Sequence, residues 1–116
     1  MKLYRILNSI NPLIPHGYAN GYVAVPQNHP LWGKDYDDEE LWNIDVHGGL
    51  TYSDSWRDQF PNAELLDGEV PKGYWIFGFD TAHYGDNSEN CDRQYCINEV
   101  TSLKEQLENY ETVQKD

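Results

Sequence analysis

The feature that most narrows the fold is an apolar stripe near the C-terminus. Cys96, Val100, Leu103, Leu107 and Tyr110 recur at spacings of four, three, four and three, the period of one face of a helix. Charged and amide residues fill the opposite face. The pattern predicts one amphipathic helix over about 92–110. A helix that is apolar along one side must bury that side against another element, and the simplest partner here is a sheet.

The rest of the chain supplies strands for that sheet. Residues 2–8, KLYRILN, alternate imperfectly and predict a short strand. Tyr22 to Val25 is apolar and β-prone, closed by Pro26, and Asn20-Gly21 ahead of it reads as a turn. Trp42, Ile44 and Val46 alternate with Asn43, Asp45 and His47, which predicts a strand interrupted at Gly48-Gly49 and resumed at Leu50-Thr51-Tyr52. Glycines inside a strand pattern mark a bulge or a close approach of another group. Tyr74 to Asp80 is the clearest strand, and its near-continuous apolar run predicts burial on both faces or a central position.

The expected fold class is α+β: an antiparallel or mixed sheet of three to four strands with one long C-terminal amphipathic helix packed on it. At 116 residues the chain is read as one domain over 1–116. Its parts are an irregular N-terminal segment, 1–17, broken by Asn11-Pro12, Pro15 and Gly17, a sheet core over 18–86, and the helix.

Twenty acidic residues face eight basic ones, for a formal net charge of -12. Such a chain repels phosphate backbones, so direct nucleic-acid binding is not expected. No apolar run approaches the roughly 18 residues a membrane span needs, and the opening MKLYRILNSINPLIP is too polar for a secretory signal. The expected location is therefore the cytoplasm, with no membrane partner. The two cysteines, Cys91 and Cys96, stand in a C-x4-C spacing with no second pair, which is no zinc knuckle. Cys96 reads as a core thiol and Cys91 as an ordinary one, and no disulfide is expected in a cytosolic chain.

Chemistry concentrates at two strand ends. The first is Asp45-x-His47-Gly48-Gly49, followed by Thr51 and Tyr52. The second is Asp80-x-x-His83-x-x-Asp86. If these strands are neighbours, their polar ends converge, and the glycines let a ligand or another backbone come close. Asp45, His47, Gly48, Gly49, Thr51, Tyr52, Asp80, His83 and Asp86 are therefore the candidate ligand-binding residues. His47, His83, Asp80 and Asp86 are also suitable ligands for a divalent metal, which would bring hydrolytic chemistry through a bound water. A non-metal ligand, stacked on aromatics and oriented by Asp and His, fits the same residues. So does a purely structural role, with the histidines bonded to loop carbonyls. No nucleophile elbow and no phosphate loop is present. The catalytic residues are unknown and the reading leans away from an enzyme. A further candidate is the acidic stretch 35–45, which would suit a basic protein partner. The exposed aromatics and the helix also allow a homo-oligomer.

Four segments carry a resemblance: GYVAVP at 21–26, HPLWGKDYD at 29–37, VHGGLTYS at 46–53 and WIFGFDTAHYGD at 75–86, with a weaker match around Val100 to Leu107. In this order they resemble a family of small uncharacterised proteins of bacteriophages and bacterial genomes. Together they span roughly half of the chain. The resemblance implies an accessory protein made during infection, acting on host defence, in the cytosol of the host cell. It implies a binder of a small molecule or a host protein and names no activity. The longer N-terminal segment and the acidic insert at Asp37–Glu40 depart from the family pattern.

Overall fold

The computed structural model describes residues 1–9 and 16–115, with side chains as far as Tyr110. The expected breaks at Asn11-Pro12 and Pro15 lie outside the described residues. Five strands form one open sheet, antiparallel throughout: β1 (Tyr4–Ser9), β2 (Ala19–Val25), β3 (Tyr52–Ser55), β4 (Glu64–Leu65) and β5 (Trp75–Phe79). Their order is β3-β5-β2-β1-β4. The helix α1 (Arg93–Lys115) packs across one face. The α+β class and the helix docked on the sheet are as the apolar patterns predict. The sheet has five strands rather than three or four, because β3 and β4 are short edge strands with weak apolar patterning.

The sheet is centred on β2, which is apolar on both sides because both sides are covered. Toward the helix, Leu3, Leu7, Val23, Val25, Phe77 and Phe79 meet Cys96, Val100, Leu103 and Leu107. On the far side, Ile6, Tyr22, Ala24 and Ile76 are covered by Trp56 and Phe60 from the connection before β4 and by Val70 and Tyr74 from the one after it. The two central glycines serve packing. A Cβ on Gly21 would lie 2.6 Å from the Phe79 ring, and one on Gly78 would lie 2.2 Å from the Tyr22 ring. Gly21 pairs with Phe79 and Tyr22 with Gly78 across the two strands, so each aromatic lies over a glycine, on opposite faces of the sheet. Asn20-Gly21 is therefore inside β2 and not a turn: the bare backbone is needed for a ring.

The segment 42–47 differs most from its pattern. It is a run of turns entered through a 3-10 turn at Glu39–Leu41, which Asp38 caps by accepting the Glu40 N–H. Leu41 and Val46 are buried in the helix-side core and Ile44 packs against it, whereas Trp42 is 74% exposed. Its backbone groups bond side chains of α1 instead of a strand. The Asp45 N–H donates to Gln106 Oε1 at 2.8 Å, and the His47 N–H donates to Glu99 Oε1 at 2.8 Å. Gln106 Nε2 returns a bond to the Asp45 carbonyl. Those long-range partners satisfy the backbone without a ladder. The strand proper begins later, at Tyr52.

The helix begins at Arg93. Asp92 caps it, its carboxylate accepting the Tyr95 N–H at 2.9 Å. It continues past Tyr110 to Lys115. No helix among the described residues is long and apolar enough to cross a membrane.

Candidate functional site: a His-Asp-Cys corner at the start of the helix

Turn 46–49, loop 80–86 and the approach to α1 meet at one corner. The turn delivers His47. It closes with a Gly49 N–H bond to the Val46 carbonyl at 2.9 Å and takes the left-handed region twice in a row, at Gly48 (φ 69°) and Gly49 (φ 78°), where only glycine is free of strain. Gly48 has a second reason to lack a side chain. A Cβ there would lie 2.2 Å from His83 Nε2, so the imidazole of His83 rests directly on the turn. The two histidine rings lie 5.9 Å apart, tilted by 52°.

Asp86 joins the two segments. Its carboxylate oxygens both lie 2.9 Å from His47 Nε2, and Oδ2 also accepts the His83 N–H at 2.9 Å. The Asp86 N–H donates to the His83 carbonyl, closing the loop on itself. Burial pushes the Asp86 carboxyl upward. The hydrogen bonds from His47 and from the His83 backbone, with the charge of the two histidines, outweigh it and hold the group below its ordinary range. On the other side of the His47 ring, Nδ1 lies 2.7 Å from the Tyr95 hydroxyl. In the neutral ring, with Nε2–H donating to Asp86, Nδ1 accepts the Tyr95 O–H. Tyr95 and Asp86 thus hold the imidazole at both nitrogens, and Glu99 holds its backbone.

Cys91 completes the corner. Its Sγ lies 3.9 Å from His47 Nε2, and the donor atoms of His47, Asp86 and Cys91 all lie within 4.8 Å of one another. The Cys91 carbonyl accepts the Tyr18 N–H at 2.7 Å and its N–H donates to the Asn87 carbonyl at 2.9 Å, which ties its backbone to the residue just before β2 and to the loop before the helix. Burial, reinforced by the Asp86 charge, pushes the thiol up to about 11. Such a thiol is no nucleophile at neutral pH. Moreover, Cys91 and Asp86 both face the same nitrogen of His47, whereas a relay needs the base on one nitrogen and its orienting acid on the other.

The expected site residues divide. His47, Gly48, His83 and Asp86 are brought together. Asp80 lies beside His83, its Oδ1 3.2 Å from Nε2 in ion-pair range; that nitrogen is shielded from solvent and has no hydrogen-bond partner, and the Asp80 carboxylate accepts the Ala82 N–H. Gly49 faces open space. Asp45 is exposed and tied to Gln106 through its backbone. Thr51 donates its N–H to the Gly78 carbonyl at the sheet edge. Tyr52 belongs to the opposite face, packed on Tyr22 and Phe60 with ring centroids 5.3 and 5.9 Å away. Of the four expected metal ligands, only His47 and Asp86 present donor atoms to a common point, and the third donor is Cys91, which the sequence offered only as an ordinary thiol. The one sequence signal for it is its place just before a capping aspartate, where a helix start fixes a side chain in space. Both cysteines are free and buried.

No protein-family model matches the chain, and no curated protein or solved structure matches it either.

Proposed function

We propose that the chain is a non-enzymatic binding protein whose working surface is the corner built by His47, Gly48, His83 and Asp86. The observation that carries this reading is the His47–Asp86 contact. It draws two loops that are distant in sequence into one polar cluster, and the fold gives up a side chain at Gly48 to let His83 in. Polar groups so arranged orient a ligand. A protonated Cys91 thiol and the shared nitrogen of His47 speak for binding and against nucleophilic catalysis. A metal-dependent hydrolase is the alternative that draws on the same residues. From the segments that resemble phage-borne proteins we further propose an accessory role in the host cytosol during infection, counter-defence included, with a small molecule or a host protein as ligand.

A second reading rests on the acidic stretch 35–45. Trp42 and Tyr36 are exposed there, at 74% and 42%, among Asp35, Asp37, Glu39 and Glu40. Exposed Trp and Tyr are favoured anchors of protein interfaces, and the charge suits a basic partner.

Thermal-shift measurements on the purified protein against nucleotides, metabolites and metal ions test the first reading. The expected result is a rise in melting temperature that His47→Ala abolishes. A flat response to every compound, with a host protein captured from lysate through Trp42 and released by salt, favours the second.

A further inference from the structure

We infer that the corner takes a thiophilic divalent cation of the zinc class, with His47 Nε2, an Asp86 carboxylate oxygen and Cys91 Sγ as its three protein ligands. The inference rests on the reading of this corner as a binding site and names its ligand. The donor set is the first ground. Imidazole, carboxylate and thiolate together suit zinc, whereas magnesium and calcium take oxygen ligands only. Distance is the second. Bonds of about 2.0–2.3 Å at tetrahedral angles put neighbouring donors roughly 3.2–3.8 Å apart. Two of the separations here, 2.9 Å from His47 Nε2 to Asp86 and 3.9 Å from His47 Nε2 to Cys91, fall on either side of that range, and the third, Asp86 to Cys91, is within 4.8 Å. Adjustment of the Asp86 and Cys91 side chains admits the ion. Three protein ligands leave the fourth position to water.

Support behind the ligands is the third ground. A metal-bound histidine usually bonds a polar group through its other nitrogen, which fixes ring orientation. Tyr95 stands there, 2.7 Å from Nδ1. Asp86 is likewise held, by the His83 N–H. Binding entails a definite proton count. The Nε2 proton moves to Nδ1, the Tyr95 hydroxyl turns from donor to acceptor, and the Cys91 thiol releases its proton to solvent as the sulfur bonds the cation. Asp86 then sits against the cation instead of the Nε2–H it now accepts. A burial that disfavours the bare thiolate is no obstacle once a divalent charge replaces the proton.

Cobalt(II) titration of the full chain, stripped of metal and kept reduced, tests this directly. The expected result is one equivalent of Co2+ bound with a near-ultraviolet thiolate-to-cobalt band, displaced by Zn2+. Cys91→Ser should lose the band, while Cys96→Ala, which removes the other buried thiol, should keep it. Tyr95→Phe should weaken binding roughly 10-fold while keeping the band. Circular dichroism and a thermal melt of each variant separate lost ligation from lost folding. A band that survives in folded Cys91→Ser overturns the ligand set. A folded wild-type protein that ignores both Co2+ and Zn2+, yet melts higher with a small molecule through His47, overturns the metal and leaves the binding reading standing. If neither metal nor any small molecule binds, both fall.

Discussion

His47 Nε2 lies 2.9 Å from each carboxylate oxygen of Asp86, a pair 39 residues apart in the chain. The contact is the latch between turn 46–49 and loop 80–86. Asp86 is 9% exposed, so removing either partner strands a polar group with little water to replace it. His47→Ala and Asp86→Ala should each cost roughly 1–3 kcal/mol in urea unfolding of the metal-free protein. The double variant should cost less than their sum, with a coupling of about 1 kcal/mol or more. Strict additivity would mean that the latch carries no energy of its own.

Gly48 and Gly49 share a left-handed backbone but not an environment. Gly49→Ala meets nothing within 4 Å and should cost only the conformational penalty, about 1–2 kcal/mol. Gly48→Ala bears the same penalty and also drives a Cβ into the His83 ring. It should be the more destabilising of the two, and it should move the His83 ring resonances in an NMR spectrum while Gly49→Ala leaves them in place. Equal losses of stability, with His83 undisturbed in both, would refute the role given to Gly48.

What the sequence disclosed and what it hid follow one physical division. The stripe from Cys96 to Tyr110 and the apolar run of β5 are local periodicities, and a local period is set by backbone geometry alone. The segment 42–47 has an equally good local period and is no strand. Val46, and Leu41 just ahead of the segment, reach the core from turns, and the N–H groups that a ladder would have used are taken by Glu99 and Gln106 from the helix. Nothing within the segment announces partners more than fifty residues away. The same holds for the site. Two glycines after a histidine mark a place where something comes close, but not that it is His83. Cys91 becomes a candidate ligand only once the capping of α1 by Asp92 and the bond from Tyr18 hold its thiol beside His47. Tyr52, by contrast, is adjacent in sequence and lies on the other face, because strand side chains alternate.

Arg5 and Asp67 form the best-connected ion pair of the sheet's other edge. Arg5 donates from Nε and Nη2 to the two carboxylate oxygens at 2.9 and 2.8 Å, its own N–H adds a third bond, and its Nη1 reaches Thr101 on the helix. The hydrogen bonds from Arg5 hold the Asp67 carboxyl below its ordinary range, against a smaller upward push from burial. A carboxyl depressed in the folded state stabilises the protein fully above its unfolded value, about 3.9, and that contribution is lost as pH falls through the folded value. Asp67→Asn should therefore cost roughly 2 kcal/mol at neutral pH, and the gap from wild type should narrow as pH falls below about 4. Urea midpoints of the two proteins across that range check it. A gap that stays constant into acid would remove the carboxylate from the account.

The helix holds the corner's floor, since Tyr95 and Glu99 reach His47 from it. Leu103 is 0% exposed in the middle of that stripe, facing a core of strand and loop side chains with no water to fill a void. Leu103→Ala should cost about 2–5 kcal/mol, the lost transfer energy plus that of the cavity. Glu105→Ala, on the outer face, should change stability by less than about 0.5 kcal/mol. The loss at Leu103 is expected to loosen the His47 turn as well, because Glu99 and Gln106 anchor that turn from the same helix. Hydrogen exchange at the His47 and Asp45 amides, bonded to those two side chains, reads this out. Faster exchange there in Leu103→Ala, with the β2–β5 ladder still protected, is the expected pattern. An unchanged rate at both amides would separate the helix from the site it is argued to support.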